Sequence, residues 1–248
     1  MFKNIVNIKP EAPYIIHDNR PSAEWPASGK IEFRNFSMKY REDLPKALDN
    51  INLTINCGER IGIVGRTGAG KSSLAKALFR LVPDGTTGSI LVDGQDISKF
   101  GVGDLRPRLG IIPQESTMFS GSYKINLDPL KEFSIEDIWS ALLNGFSGGQ
   151  AQLFSLCRLL LRKRRIIVLD EATAEVDLET DKEIHRLIRD EFSNSTILTI
   201  AHRLETVMDS DRIIVMDKGQ IVEVGPPQEL IKQGGHFSKL VEANDFGQ

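Results

Sequence analysis

The period of the apolar positions changes repeatedly along this chain, and each change marks an element. Short runs predict strands at Ile31-Glu32-Phe33, Ile51–Ile55, Ile61–Val64 and Ser89–Val92, the last ending in an Asp93-Gly94 turn. A further strand, Arg108-Leu109-Gly110-Ile111-Ile112, is stopped by Pro113, with Gln114 just beyond it. Ile166-Ile167-Val168-Leu169 is continuously apolar, the mark of a strand buried on both faces of a parallel sheet, and Thr196–Ile200 reads the same way. Helical patterns cover Leu74–Phe79, Ile135–Leu143 and about 149–162, and Leu178, Ile184, Leu187, Ile188 and Phe192 form one helical stripe. Arg212–Met216 and Gln220–Val224 predict a hairpin about Asp217-Lys218-Gly219, and two short helices are expected after Pro226.

Buried strands alternating with helices predict an α/β core with a mainly parallel sheet. The early strands and the late hairpin add an antiparallel sheet beside it. Residues 1–28 hold Pro10, Pro13, Pro21 and Pro26 with little periodicity and read as an extended linker, leaving 29–248 as the domain proper. At 248 residues, one composite domain or two subdomains are expected.

Composition changes this picture only by exclusion. A net charge of −3 argues against a nucleic-acid binder working by bulk electrostatics. The basic cluster of Arg158 and Arg162-Lys163-Arg164-Arg165 falls at a predicted helix end, where cations complement the helix dipole. Cys57 and Cys157 make neither a disulfide framework nor a metal site, and Cys157 reads as a small core residue. No apolar run approaches about 18 residues and no signal peptide is visible, so the polypeptide itself is expected to be soluble and to face the cytosol.

The chemistry concentrates in Gly65-Arg66-Thr67-Gly68-Ala69-Gly70-Lys71-Ser72-Ser73. This is G-x-x-x-x-G-K-S between a predicted strand and a predicted helix, the context that a phosphate-binding loop requires. Glycines let successive backbone N–H groups turn inward, and the helix points its positive end at the same place. Lys71 is expected to reach the β- and γ-phosphates of a nucleoside triphosphate, and the Ser72 hydroxyl to hold Mg²⁺.

Asp170 closes the buried strand and Glu171 follows it. By themselves they suit a helix N-terminus. About a hundred residues after a phosphate loop, they instead suit a second Mg²⁺ ligand (Asp170) and a residue that polarises the attacking water (Glu171). Ser147-Gly148-Gly149-Gln150 could be a helix N-cap or a second anion cradle.

Taken together, these residues resemble the nucleotide-binding domain of an ATP-binding cassette (ABC) transporter over nearly the whole chain. Phe146-Ser147-Gly148-Gly149-Gln150 is similar to the family signature L-S-G-G-Q. The resemblance places Gln114 at the Q-loop as a metal and catalytic residue, Asp177 at the D-loop, His202 as the switch histidine and Tyr40 as the aromatic that stacks on adenine. Trp25-Pro26, Tyr40–Pro45, Asn126–Pro129 and Ala174–Asp181 look like the second such domain of the multidrug-resistance-associated (C) subfamily. The resemblance implies a P-loop ATPase that takes ATP and Mg²⁺, pairs head to tail with a second nucleotide-binding domain, and serves transmembrane domains from the cytoplasmic face of a membrane. In that arrangement Ser147 and Gly149 would contact ATP bound on the partner, and residues 1–28 would lead from the last transmembrane helix. No nucleic-acid partner is expected.

The chain departs from the family pattern at three points. Phe146 replaces leucine, and Ala151 stands where a basic residue usually follows the signature. Between Gln114 and Ser147 the chain is shorter than its relatives by roughly twenty residues, judged from the family pattern, which truncates the helical subdomain expected at about 115–162. A nucleotide-dependent switch with little turnover therefore stands as an alternative to a transport-coupled ATPase.

Overall fold

The computed structural model describes residues 11–82, 85–114, 118, 120–145, 151–170, 178–201 and 203–245. Glu171, His202, Asp177 and Ser147-Gly148-Gly149-Gln150 lie outside the described residues. Two sheets organise the rest. β1 (Ile31–Met38) pairs antiparallel with β2 (Leu48–Ile55) on one side and β4 (Thr86–Val92) on the other, and β5 (Gln95–Asp96) completes the order β2-β1-β4-β5. Asp93 and Gly94 both adopt positive φ, 49° and 76°, as a two-residue hairpin turn demands.

The second sheet has the order β10-β9-β3-β8-β7-β6. Here β3 (Arg60–Val64), β6 (Leu109–Ile112), β7 (Ile166–Asp170), β8 (Thr196–Ile200) and β9 (Arg212–Asp217) run parallel, and β10 (Gln220–Gly225) is antiparallel at the edge. The helices are α1 (Lys71–Leu78), α2 (Val102–Leu105), α3 (Tyr123–Leu127), α4 (Ile135–Gly145), α5 (Ala151–Leu161), α6 (Leu178–Glu191), α7 (Pro227–Gln233) and α8 (His236–Asp245).

The continuous apolar run in β7 is explained by its two covered faces. Successive side chains of a strand point to opposite sides. Ile166 and Val168 join the core that unites both sheets around Leu74 and Leu78 of α1, whereas Ile167 and Leu169 pack with Leu156, Leu159, Ile184 and Ile188 of α5 and α6. α1 is thus held between the sheets, and the loop before it cannot move independently of the core.

The expected helical region contains α3, α4 and α5, which share a smaller cluster of Leu127, Ile138, Phe154 and Cys157. Cys157 is fully buried, its thiol donates to the Ala141 carbonyl at 3.4 Å, and burial pushes its pKa up to about 11. It is therefore an inert core thiol. Residues 11–28 hold only one 3₁₀ turn, His17–Asn19, yet they are fastened to the domain. The Pro13 and Tyr14 carbonyls accept from Val102 and Gly103 N–H, Arg20 pairs with Asp104 at 2.7 Å, and buried Trp25 donates to the Val92 carbonyl.

Candidate functional site

β3 ends at Val64, and the chain turns through Gly65, Gly68 and Gly70 before entering α1 at Lys71. All three glycines have positive φ, 149°, 81° and 105°. A Cβ at Gly65 would lie 2.3 Å from the Met216 carbonyl oxygen, and one at Gly70 would lie 2.8 Å from that of Ala47. Close backbone approach therefore requires glycine at both positions. At Gly68 a Cβ would meet nothing within 4 Å, so this part of the loop faces open space. Arg66 and Thr67 are exposed beside it, while Ala69 is buried and anchors the loop.

The loop is fixed from below by the β9–β10 turn. Gly219 N–H donates to the Ala69 carbonyl at 2.9 Å, and the Gly219 carbonyl accepts from Asp49 N–H at 2.8 Å. Ala47, Met216 and Gly219 thus position the phosphate loop although they lie far from it in sequence. The hairpin turn is legible in the sequence, but its use as a brace for the loop carries no sequence signal.

Lys71 is buried along its length, and its ammonium lies over the loop, donating to the Gly65 carbonyl at 2.9 Å and the Arg66 carbonyl at 3.4 Å. A cation held across a ring of inward-turned backbone suits an anion of phosphate size. One residue on, the Ser72 hydroxyl donates to an oxygen of Asp170 at 3.2 Å. Asp170 reaches it because β7 lies one strand beyond β8, the neighbour of β3, and all three end at the same edge of the sheet.

Among the described residues no cluster of three or more His, Cys, Asp or Glu could hold a metal unaided. Ser72 and Asp170 nevertheless fit Mg²⁺, which commonly takes one or two protein oxygens and completes its shell with phosphate and water. Gln114 follows β6 at that same edge, next to β7; its side chain is exposed and forms no hydrogen bond with Ser72 or Asp170. Tyr40 is partly exposed at the start of α1, its hydroxyl 3.0 Å from the buried Ser73 hydroxyl and its ring 5.6 Å from the Lys76 ammonium. The structure thus brings together the loop, Lys71, Ser72, Ser73, Asp170 and Tyr40.

The family model described as ABC transporter matches residues 48–174, a stretch that holds the loop and the Asp170-Glu171 pair. The chain belongs to the ABC transporter family. It is a nucleotide-binding ATPase domain of that family, close to sub-family C members. ATP-binding cassette sub-family C member 2 of Rattus norvegicus is 48% identical over 255 positions, covering 94% of this chain and 16% of the relative. The vacuolar heme ABC transmembrane exporter abc3 of Schizosaccharomyces pombe is 50% identical over 250 positions, covering 92% and 17%. Among solved structures, a bacterial Atm1-family ABC exporter with ATP bound superposes with a TM-score of 0.84 at 29% identity, over 98% of this chain and 46% of that one. The ABC domain described here thus spans about one sixth of the length of these curated relatives. No helix among its described residues is long and apolar enough to cross a membrane.

Proposed function

We propose that this ABC domain binds Mg-ATP and hydrolyses it to drive export through transmembrane domains, working as one half of a head-to-tail pair of nucleotide-binding domains. The observation that carries the reading is the meeting of Ser72 and Asp170 beneath a glycine loop closed by Lys71. When ATP enters, Lys71 exchanges its loop carbonyls for the β- and γ-phosphates, and backbone N–H groups of 66–72 line the phosphate chain. Tyr40 offers a ring face to the adenine. Ser72, Asp170 and Gln114 would hold Mg²⁺, which would supply charge neutralisation to the phosphate chain.

Glu171, next in sequence after Asp170, would accept a proton from the attacking water, and His202, two positions after β8 in sequence, would steady the γ-phosphate. Ser147, Gly148, Gly149 and Gln150, with Asp177, would meet the ATP held by the partner domain. Residues 1–28 would connect to the membrane domain.

The helical subdomain within about 115–162 is shortened in this reading. The alignment with the rat relative runs over 255 positions, more than the 248 residues of this chain, which supports residues in the relative that have no counterpart here. Family resemblance assigns that region to contact with the membrane domains, so nucleotide binding survives its loss better than coupling does.

The reading is tested by ATPase assays on the isolated domain. Each site lacks its second half in a monomer, so activity should be low and rise more steeply than linearly with protein concentration, or on adding the first cassette of a sub-family C relative. Specific activity independent of concentration and partner, in a protein that stays monomeric, would overturn it.

A further inference from the structure

Arg108 precedes β6, and Lys163-Arg164-Arg165 joins α5 to β7. Their side chains face residues 23–27 across a concavity of about 340 Å³. β3, β6 and β7 are parallel, so this concavity opens at the strand starts whereas the phosphate loop leaves β3 at its end. A five-residue strand spans roughly 16 Å, which makes the two sites separate.

Three of the four cations are engaged. Arg108 donates to the Ala23 carbonyl at 2.7 Å and to that of Trp25, Lys163 pairs with Glu191 at 3.0 Å, and Arg165 donates to the Asn194 carbonyl at 3.4 Å. Arg164 differs. Its guanidinium is partly buried in the wall and forms no hydrogen bond or ion pair with the described residues. Burial, with Arg162 and Arg108 nearby, pushes its pKa below the ordinary guanidinium value. Glu132 opposes this, but its carboxylate is already bound by Arg162 at 2.6 Å. Glu24, the one acidic residue among the described lining residues, is exposed.

A partly desolvated guanidinium without a counter-ion is costly, and a planar fork of donors suits a phosphoryl group. We propose that this concavity is a second anion site, selective for a small phosphorylated anion of about pyrophosphate size and read by Arg164 with support from Arg108, Lys163 and Arg165. Its volume lies at the small end of ligand pockets, roomier than one phosphate needs. The apolar wall of Trp25, Pro26 and Ala27 suits a ligand that carries its charge at one end. The site does not depend on the nucleotide reading.

The test uses the full chain with Lys71→Ala, which removes competition by the phosphate loop. Inorganic pyrophosphate titrated calorimetrically should bind at one site, and inorganic phosphate more weakly. Adding Arg164→Met should lower pyrophosphate affinity by at least about tenfold, and Arg164→Lys by less. Pyrophosphate should raise the melting temperature of the Arg164 parent but not of the Met variant. Absence of saturable binding in the parent, or equal affinity in the Met variant, overturns the proposal. If the Met variant does not fold, unchanged affinity in Arg164→Lys and Lys163→Ala together overturns it. Neither outcome touches ATP binding by the Lys71 protein, so the two sites fail separately.

Discussion

The Ser72 hydroxyl donates to Asp170 at 3.2 Å although 98 positions separate the two residues. The contact joins the first residue pair of α1 to the last residue of β7 across the edge of one sheet. Two oxygens from different elements are thereby fixed before any ligand arrives, and fixed ligands spare the cost of ordering them on binding.

Lys71→Ala removes the cation closing the loop. Loss of charge-assisted hydrogen bonds to two phosphates should weaken Mg-ATP binding by roughly 10²-fold, about 3 kcal/mol. Titration calorimetry reads this directly. Its ammonium also ties Gly65 and Arg66 together, so the loop of the variant should exchange its amide hydrogens faster.

Glu171→Gln should separate binding from turnover. Glutamine keeps the size of the side chain but cannot take a proton, so ATP affinity should stay nearly unchanged while phosphate release falls by roughly 10²–10⁴-fold. Loss of binding in this variant would refute the role of Glu171 as base.

Inserting about twenty residues of a relative's helical subdomain between Leu143 and Phe146 should restore ATP-induced dimerisation more than ATP affinity. A signature helix displaced by about 1 Å can cost on the order of 10²-fold in rate, whereas the loop rests on the sheets and α1. Sedimentation of the Glu171→Gln protein with ATP checks this; a tight dimer without the insertion would contradict it.

Asp93 makes stability depend on pH. Burial alone would raise its pKa, but donation from the Ser28 hydroxyl at 2.5 Å, Ser28 N–H at 2.9 Å and Lys30 N–H at 2.8 Å outweighs it and holds the carboxyl below its ordinary value. A lowered folded pKa means that the contribution is complete above the unfolded carboxyl value and is lost as pH falls through the folded one. Asp93→Asn should therefore cost about 1–2 kcal/mol near neutral pH, and the difference should shrink below about pH 4. Thermal melts of both proteins across that range measure it.

The local elements were legible because their causes are local. Strand period, the Asp93-Gly94 turn, the glycine loop before α1 and the apolar run of β7 each encode their own backbone geometry. Resemblance then carried the family, because Gly65–Ser73 and Asp170-Glu171 stand in a recognisable frame. The pairings across elements were decided elsewhere. Ser72 meets Asp170 because β7 lies two strands from β3, an order that no periodicity specifies. Gly219 braces Ala69 because the last hairpin folds back beneath the first loop, and residues 11–28 are anchored through Trp25 and Arg20 to partners more than sixty positions away. The basic run 162–165 shows the same division. Its charge was evident in the sequence, but which cation was left without a partner among the described residues depended on where Glu132, Glu191 and the Asn194 carbonyl came to rest. Hydrogen bonds and charges act over a few ångströms in space, and only the packed chain determines which residues lie that close.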